Sequence, residues 1–136
     1  MKQDNYIFPA VFDYADDGIS IEFPDLPGCL SCADSDEEAF YNAKEALRSW
    51  LLVAEEYGEE IPTPTPLKDV APLQNQRVVL VDTCLAIFRD AHRNRAIKKT
   101  LTIPYWLNEK AENENINFSY VLQIALKEQL RVMENK

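Results

Sequence analysis

The sequence predicts an α+β chain in two parts: a small antiparallel sheet covered by one long helix, then a strand followed by two short helices. Three observations carry this. Aromatic and β-branched runs near the start alternate with period two, as half-buried strands do. A capping signal at Ser35 opens an unbroken apolar stripe at helical spacing. The charge also changes sign along the chain. Residues 1–75 carry 16 Asp/Glu against 4 Lys/Arg, and residues 76–136 carry 7 against 10, so a net −12 precedes a net +3.

The length of 136 residues suits one ordinary domain or two very small ones. With 46% hydrophobic and 27% charged residues, the composition is that of a packed globular chain. No apolar run reaches the 18 residues of a membrane span. The opening "MKQDNYIFPAVFDYADD" is acidic and has no apolar signal core, so no secretion signal is expected. Three cysteines, Cys29, Cys32 and Cys84, then imply reduced thiols and a cytoplasmic location.

"YIFPAVFDY" (6–14) reads as the first strand, with Pro9 expected at a sheet edge or a bulge because it cannot donate to a ladder. Asp17-Gly18 supplies a hairpin turn. In "ISIEF" (19–23), Ile19, Ile21 and Phe23 share one face. "PDLPG" (24–28) breaks the strand, and "CLSCAD" (29–34) reads as a third one. Ser35 and Glu38 form a capping-box pattern ahead of the stripe Ala39, Phe40, Ala43, Ala46, Leu47, Trp50, Leu51 and Ala54, with Gly58 as the stop. Four prolines make 61–74 an extended connection, and "RVVLVDT" (77–83) returns to the sheet. Residues 1–88 are read as one domain, 89–95 as a linker and 96–136 as a second domain.

In the second domain, Ile97, Leu101 and Ile103 share one strand face, and Lys98, Thr100 and Thr102 share the other. Pro104 suits a first helical turn, followed by Trp106, Leu107 and Ala111. "NENIN" (113–117) is a turn, and Asn117 caps a second helix with Phe118, Val121, Leu122, Ala125, Leu126 and Leu130 inward. About 40 residues of strand and two helices cannot enclose a core alone. A twofold dimer resolves this by pairing strand 97–103 with its copy above four interlocked helices. Ile97, Leu101, Ile103, Trp106, Val121 and Leu122 would then form the dimer contact. Lys98, Thr100 and Thr102 would face outward on a two-stranded ribbon that fits a DNA major groove. Lys99 would snorkel to phosphate, and Asn117 and Ser119 would hold a phosphate at the helix start. "KKTLTIPYWLNEKAENENINFSYVLQIALKEQL" resembles the ribbon-helix-helix family of DNA-binding proteins throughout its length. A helix-turn-helix fits less well, because the segment before the first helix is basic and strand-like.

The front half resembles the HicB family of antitoxins through "FPAVF", "DGISIEFPDLPGC", "SDEEAFYNAKEAL", "PTPTPLKDV" and "VVLVDT". The resemblance runs from Tyr6 to Leu130. It implies a partial ribonuclease H-like N-terminal domain that binds and neutralises a small basic HicA-like messenger-RNA-cleaving toxin. It also implies a C-terminal unit that binds operator DNA and represses its own operon, as a homodimer or tetramer, with no cofactor and no enzymatic activity. The acidic front half suits a basic partner. The toxin-facing positions assigned are Glu22, Asp25, Leu26, Asp34, Asp36 and Glu37, the alternative for each being an ordinary solvated acid or, for Leu26, loop packing.

Other readings carry less. Asp13, Asp16, Asp17, Glu22 and Asp25 could hold Mg²⁺ for a residual nuclease, but no spacing forces them together, and Asp is favoured in turns for backbone reasons. Cys29 and Cys32 are half of a zinc pattern with only Cys84 and His92 to complete it, and a strand would point them to opposite faces. A third reading is a non-catalytic protein-binding module whose C-terminal unit only dimerises.

Overall fold

The structure, a computed structural model, describes residues 2–132. It divides into two compact units, Met1–Ala96 and Ile97–Lys136. In the first unit, β1 (Asn5–Ala15), β2 (Gly18–Glu22), β3 (Leu30–Ala33) and β4 (Gln76–Cys84) form one antiparallel sheet in the order β3-β2-β1-β4. The expected return of residues 77–83 to the first sheet is therefore observed, with Phe8 opposite Val81 and Pro9 opposite Leu80.

Pro9 is neither on an edge strand nor in a bulge. β1 is an inner strand, and its register with β4 runs unbroken. The reason lies in the alternation of the ladder. The Leu85 N–H donates to the Asp4 carbonyl at 2.7 Å, and the Tyr14 N–H donates to the Asn75 carbonyl at 3.0 Å. Even-numbered β1 residues therefore exchange bonds with β4, and Pro9 turns its nitrogen the other way. The pairing with β2 ends at Val11 opposite Glu22, short of Pro9, so its missing N–H costs no bond.

The hairpin between β1 and β2 uses Asp16 and Asp17 as its loop, and the positive φ falls on Gly18 at 140°. A Cβ there would meet the Ala33 carbonyl oxygen at 3.0 Å. Ile19, Ile21 and Phe23 are buried together, as the alternation predicts.

α1 (Asp36–Glu56) covers the sheet and touches both edge strands, β3 and β4. Ser35 caps it by accepting the Glu38 N–H at 3.2 Å, and three acids in the first turn suit the helix dipole. Ala39, Ala43, Leu47, Leu51 and Ala54 are buried as expected, and Leu52 joins them. Phe40 departs from the expected stripe: it is exposed, edge-on to Tyr41 and beneath the Lys44 ammonium. Gly58 ends the helix region at φ 67°. Two side chains pin α1 to the β3 side. The Asn42 amide donates to the Cys32 carbonyl at 2.8 Å, and the Trp50 indole N–H donates to the Pro27 carbonyl at 2.9 Å.

The proline-rich connection is extended apart from a 3-10 turn at Leu67–Asp69, and the Asp25 carboxylate anchors it. Asp25 accepts the Thr65 N–H at 2.9 Å and also the Thr65 hydroxyl.

The segment read as a linker contains a short helix, α2 (Arg89–Arg93), built against the first unit. Arg89 donates to both oxygens of Glu55, to Asp4 and to the Gln3 carbonyl. Arg95 and His92 both reach Glu56, whose carboxyl is held below its usual range mainly by the Arg95 hydrogen bond. The Arg48 guanidinium lies 4.1 Å over the Phe88 ring, and Leu85 is fully buried.

The second unit contains α3 (Tyr105–Asn113) and α4 (Phe118–Leu130). The expected strand over 97–103 is not formed, since residues 95–104 carry no hydrogen-bonded secondary structure. A strand is defined by its pairing, and none of the four strands pairs with this segment.

Two predictions follow from these local geometries. Gly18→Ala forces a Cβ against the Ala33 carbonyl at positive φ and should lower the unfolding free energy by about 1–3 kcal/mol, measured by urea denaturation followed by circular dichroism. A loss below about 0.5 kcal/mol would show that the turn relaxes freely. Burial pushes the Cys29 thiol up to about 11, whereas Cys32 is exposed. Cys32 should therefore react first with a disulfide reagent at pH 8, and Cys29 only after denaturant is added. Equal rates for the two thiols in the folded protein would contradict this placement.

Candidate functional site

The second unit leaves its apolar side chains in the open. Among the described residues from 97 onward none is buried. Ile97, Leu101, Ile103, Trp106 and Val121 are exposed, with Ile97 at 75% and Trp106 at 61%, and Leu122 is half-buried. Phe118, Ile124, Leu126 and Leu130 are exposed as well. Such a concentration of apolar surface marks an interaction face.

Lys98, Lys99, Thr100 and Thr102 are all exposed on the extended segment before Pro104. Pro104 occupies the cap position of α3. The turn between the helices contains Asn115 at φ 55°, and the Ile116 N–H closes it on the Ala111 carbonyl at 3.0 Å. Asn117 caps α4 as expected, its side-chain oxygen accepting the Tyr120 N–H at 3.0 Å. That oxygen is therefore engaged by the helix itself. Ser119 stands exposed in the first turn of α4.

The acidic positions of the first unit divide by environment. Glu22, Asp34, Asp36 and Glu37 are exposed. Asp36 accepts the Tyr14 hydroxyl at 2.6 Å, and this bond raises the Tyr14 pKa. Asp25 is committed to Thr65. Leu26 does not fit the role assigned from sequence: it is 1% exposed and belongs to the core. Its turn folds inward because the Leu26 N–H and carbonyl bond to Phe23 and Cys29, and this closes the turn over the sheet.

The other carboxylates considered from sequence are dispersed. Asp13 accepts from Gln76 at 3.0 Å, and Asp16 and Asp17 form the hairpin loop. Among the described residues, no three of His, Cys, Asp and Glu are grouped to hold a metal ion. Cys29 is buried and Cys32 exposed, on opposite faces of the sheet edge. No helix among the described residues is long and apolar enough to cross a membrane.

Sequence reasoning missed the Arg89 anchor, because its acidic partners lie 34 and 85 positions away. It also missed the indole bond of Trp50, which was read only as part of the helix stripe.

Comparison with known proteins extends this description. A family model for the HicB-like antitoxin of bacterial toxin-antitoxin systems matches residues 8–122. The protein named Antitoxin HicB 2 from Photorhabdus laumondii is 36% identical over 61 residues, which cover 45% of this chain and 44% of that protein. The chain thus spans about half the length of the curated relatives it matches. Among solved structures, a chain from a toxin-antitoxin complex of Streptococcus pneumoniae aligns with a TM-score of 0.64 at 22% identity, covering 92% of this chain and 99% of that one. The antitoxin HicB of Burkholderia pseudomallei aligns with a TM-score of 0.54 at 22% identity, over 92% and 98%. At such identities the structural matches speak for the α+β fold, and the family follows from the model that spans most of the sequence. The chain belongs to the HicB-like antitoxin family of bacterial toxin-antitoxin systems.

Proposed function

We propose that this chain neutralises a small basic, HicA-like messenger-RNA-cleaving toxin through its acidic N-terminal unit and represses its own operon through a dimeric C-terminal ribbon-helix-helix. The observation that carries the second half is the unburied apolar surface of the second unit. An unpaired segment and two helices with no buried residue complete a core when a second copy supplies the missing partner. Segment 97–103 then gains a strand to pair with, and Lys98, Thr100 and Thr102 line the outer face of the ribbon for base edges. Lys99 and the α4 start at Ser119 serve phosphate, with Asn117 shaping that helix end through its cap. Ile97, Leu101, Ile103, Trp106, Val121 and Leu122 form the contact between copies, and tetramers arise from pairs of such dimers.

In this reading the first unit is a cut-down ribonuclease H-like scaffold rather than a nuclease. The dispersal of Asp13, Asp16, Asp17 and Asp25 into structural roles supports that view. Glu22, Asp34, Asp36 and Glu37 offer exposed charge to a basic toxin, while Leu26 is withdrawn from the list by its burial. The protein works in the cytoplasm, where both toxin and operator are found.

Replacing Lys98, Thr100 and Thr102 together with alanine should abolish the gel shift of a duplex carrying the region upstream of this gene, with the dimer intact by sedimentation. An unchanged shift would mean that the ribbon is not the reader. Leu101→Asp should instead dissociate the dimer and lose DNA binding with it. If Leu101→Asp stays dimeric, segment 97–103 is not the shared strand.

A further inference from the structure

We infer that the groove between β3 and α1 is the seat for an extended, cationic segment of the partner that the acidic unit binds. This rests on the toxin-binding reading above and adds to it the sheet edge at Leu30, whose cross-strand partner is Glu22.

The groove is a built feature. One part, about 360 Å³, is lined by Gly28, Leu30, Trp50, Val53 and Glu59 among others. A second, about 240 Å³, is lined by Ser31, Asn42 and Glu45. Leu30, Ala46 and Ser49 belong to both, so the two form one channel along the sheet edge. The two pins from α1, Asn42 to Cys32 and Trp50 to Pro27, hold its walls toward either end. A groove held in this way needs little ordering when a partner enters.

Its chemistry selects the occupant. The bonding parity of the sheet continues into β3: the Phe23 N–H donates to the Cys29 carbonyl at 3.2 Å, so odd-numbered β3 residues face β2. Leu30 and Cys32 therefore turn their peptide groups toward the open edge. The Cys32 carbonyl is taken by Asn42, which leaves the Leu30 N–H and carbonyl and the Cys32 N–H for an incoming strand. The small side chains of Ala46 and Ser49 permit close approach, and Val53, which is exposed, gives an apolar contact beside the fixed Trp50 ring. Glu45 and Glu59 are the charged residues in the lining, which contains no Lys or Arg. An extended segment with one apolar side chain flanked by Lys or Arg satisfies backbone edge, apolar wall and acidic rim together.

The test uses the full-length protein and the small basic HicA-like protein proposed to be encoded beside it, in a catalytically silenced form, with affinity measured by calorimetry. Ser49→Arg places a bulky cation in the channel and should weaken binding at least tenfold. Glu45→Lys should weaken it several-fold, more so at low salt. Asp69→Lys, an exposed acid outside the groove and outside the acids proposed above, should change it less than threefold. Circular dichroism and the gel shift should match wild type for all three variants, which excludes misfolding. If Ser49→Arg and Glu45→Lys bind as wild type, or if Asp69→Lys weakens binding as much as they do, the groove is not the seat. If the wild-type protein itself fails to bind the neighbouring protein, the toxin-binding reading fails, whatever the variants do.

Discussion

The first unit depends on β1 being paired on both sides. Its even-numbered residues bond to β4 and its odd-numbered residues to β2, so a single parity choice fixes which backbone groups every other strand has left to offer. The same parity puts Phe8, Ala10 and Phe12 on the face that α1 covers, together with Val81, Ile19 and Ile21. Side-chain burial and hydrogen bonding are thus one constraint. A register slip of one residue would expose the core and move Pro9 into a bonding position at the same time.

The two units solve the problem of a small core differently. The first closes its own interior, using the Asp25–Thr65 clasp to anchor the proline-rich connection and the Arg89 cluster to hold α2 to the end of α1. Arg89 is mostly shielded and meets two carboxylates and a carbonyl, so removing it would strand acids that now share its charge. The second unit has a capped α4 and a closed turn between its helices, yet no described residue of it is buried. Its helices are formed, and the described residues enclose no interior within the single chain.

Much of this was legible in the sequence because period and punctuation are local. The alternation of Ile19, Ile21 and Phe23, the Ser35 cap, the α1 stripe and the Asn117 cap each depend on residues within a turn or two, and each appears as read apart from the exposed Phe40 of the stripe. The exceptions depend on distance or parity. Pro9 was taken for an edge signal, since proline's lost donor matters only when the nitrogen points at a neighbour, and the register decides that. Leu26 looked like a loop residue because it stands between two prolines, but its turn folds back on the core. The helical segment 89–93 passed for a linker because its polar residues answer acids far away in sequence. The groove beside Trp50 was invisible for the same reason, since its walls come from a strand and a helix joined only by tertiary contacts.

The unburied second unit also has a consequence for copy number. A core made within one chain has a stability that is the same at any dilution. A core assembled from two chains has a stability that rises with the logarithm of concentration. On the dimeric reading proposed above, the part that would sit on DNA would be folded in proportion to how much of the molecule the cell holds, while the part that would meet the toxin would be folded regardless. Dilution by growth or by slowed synthesis would silence the first long before it touched the second.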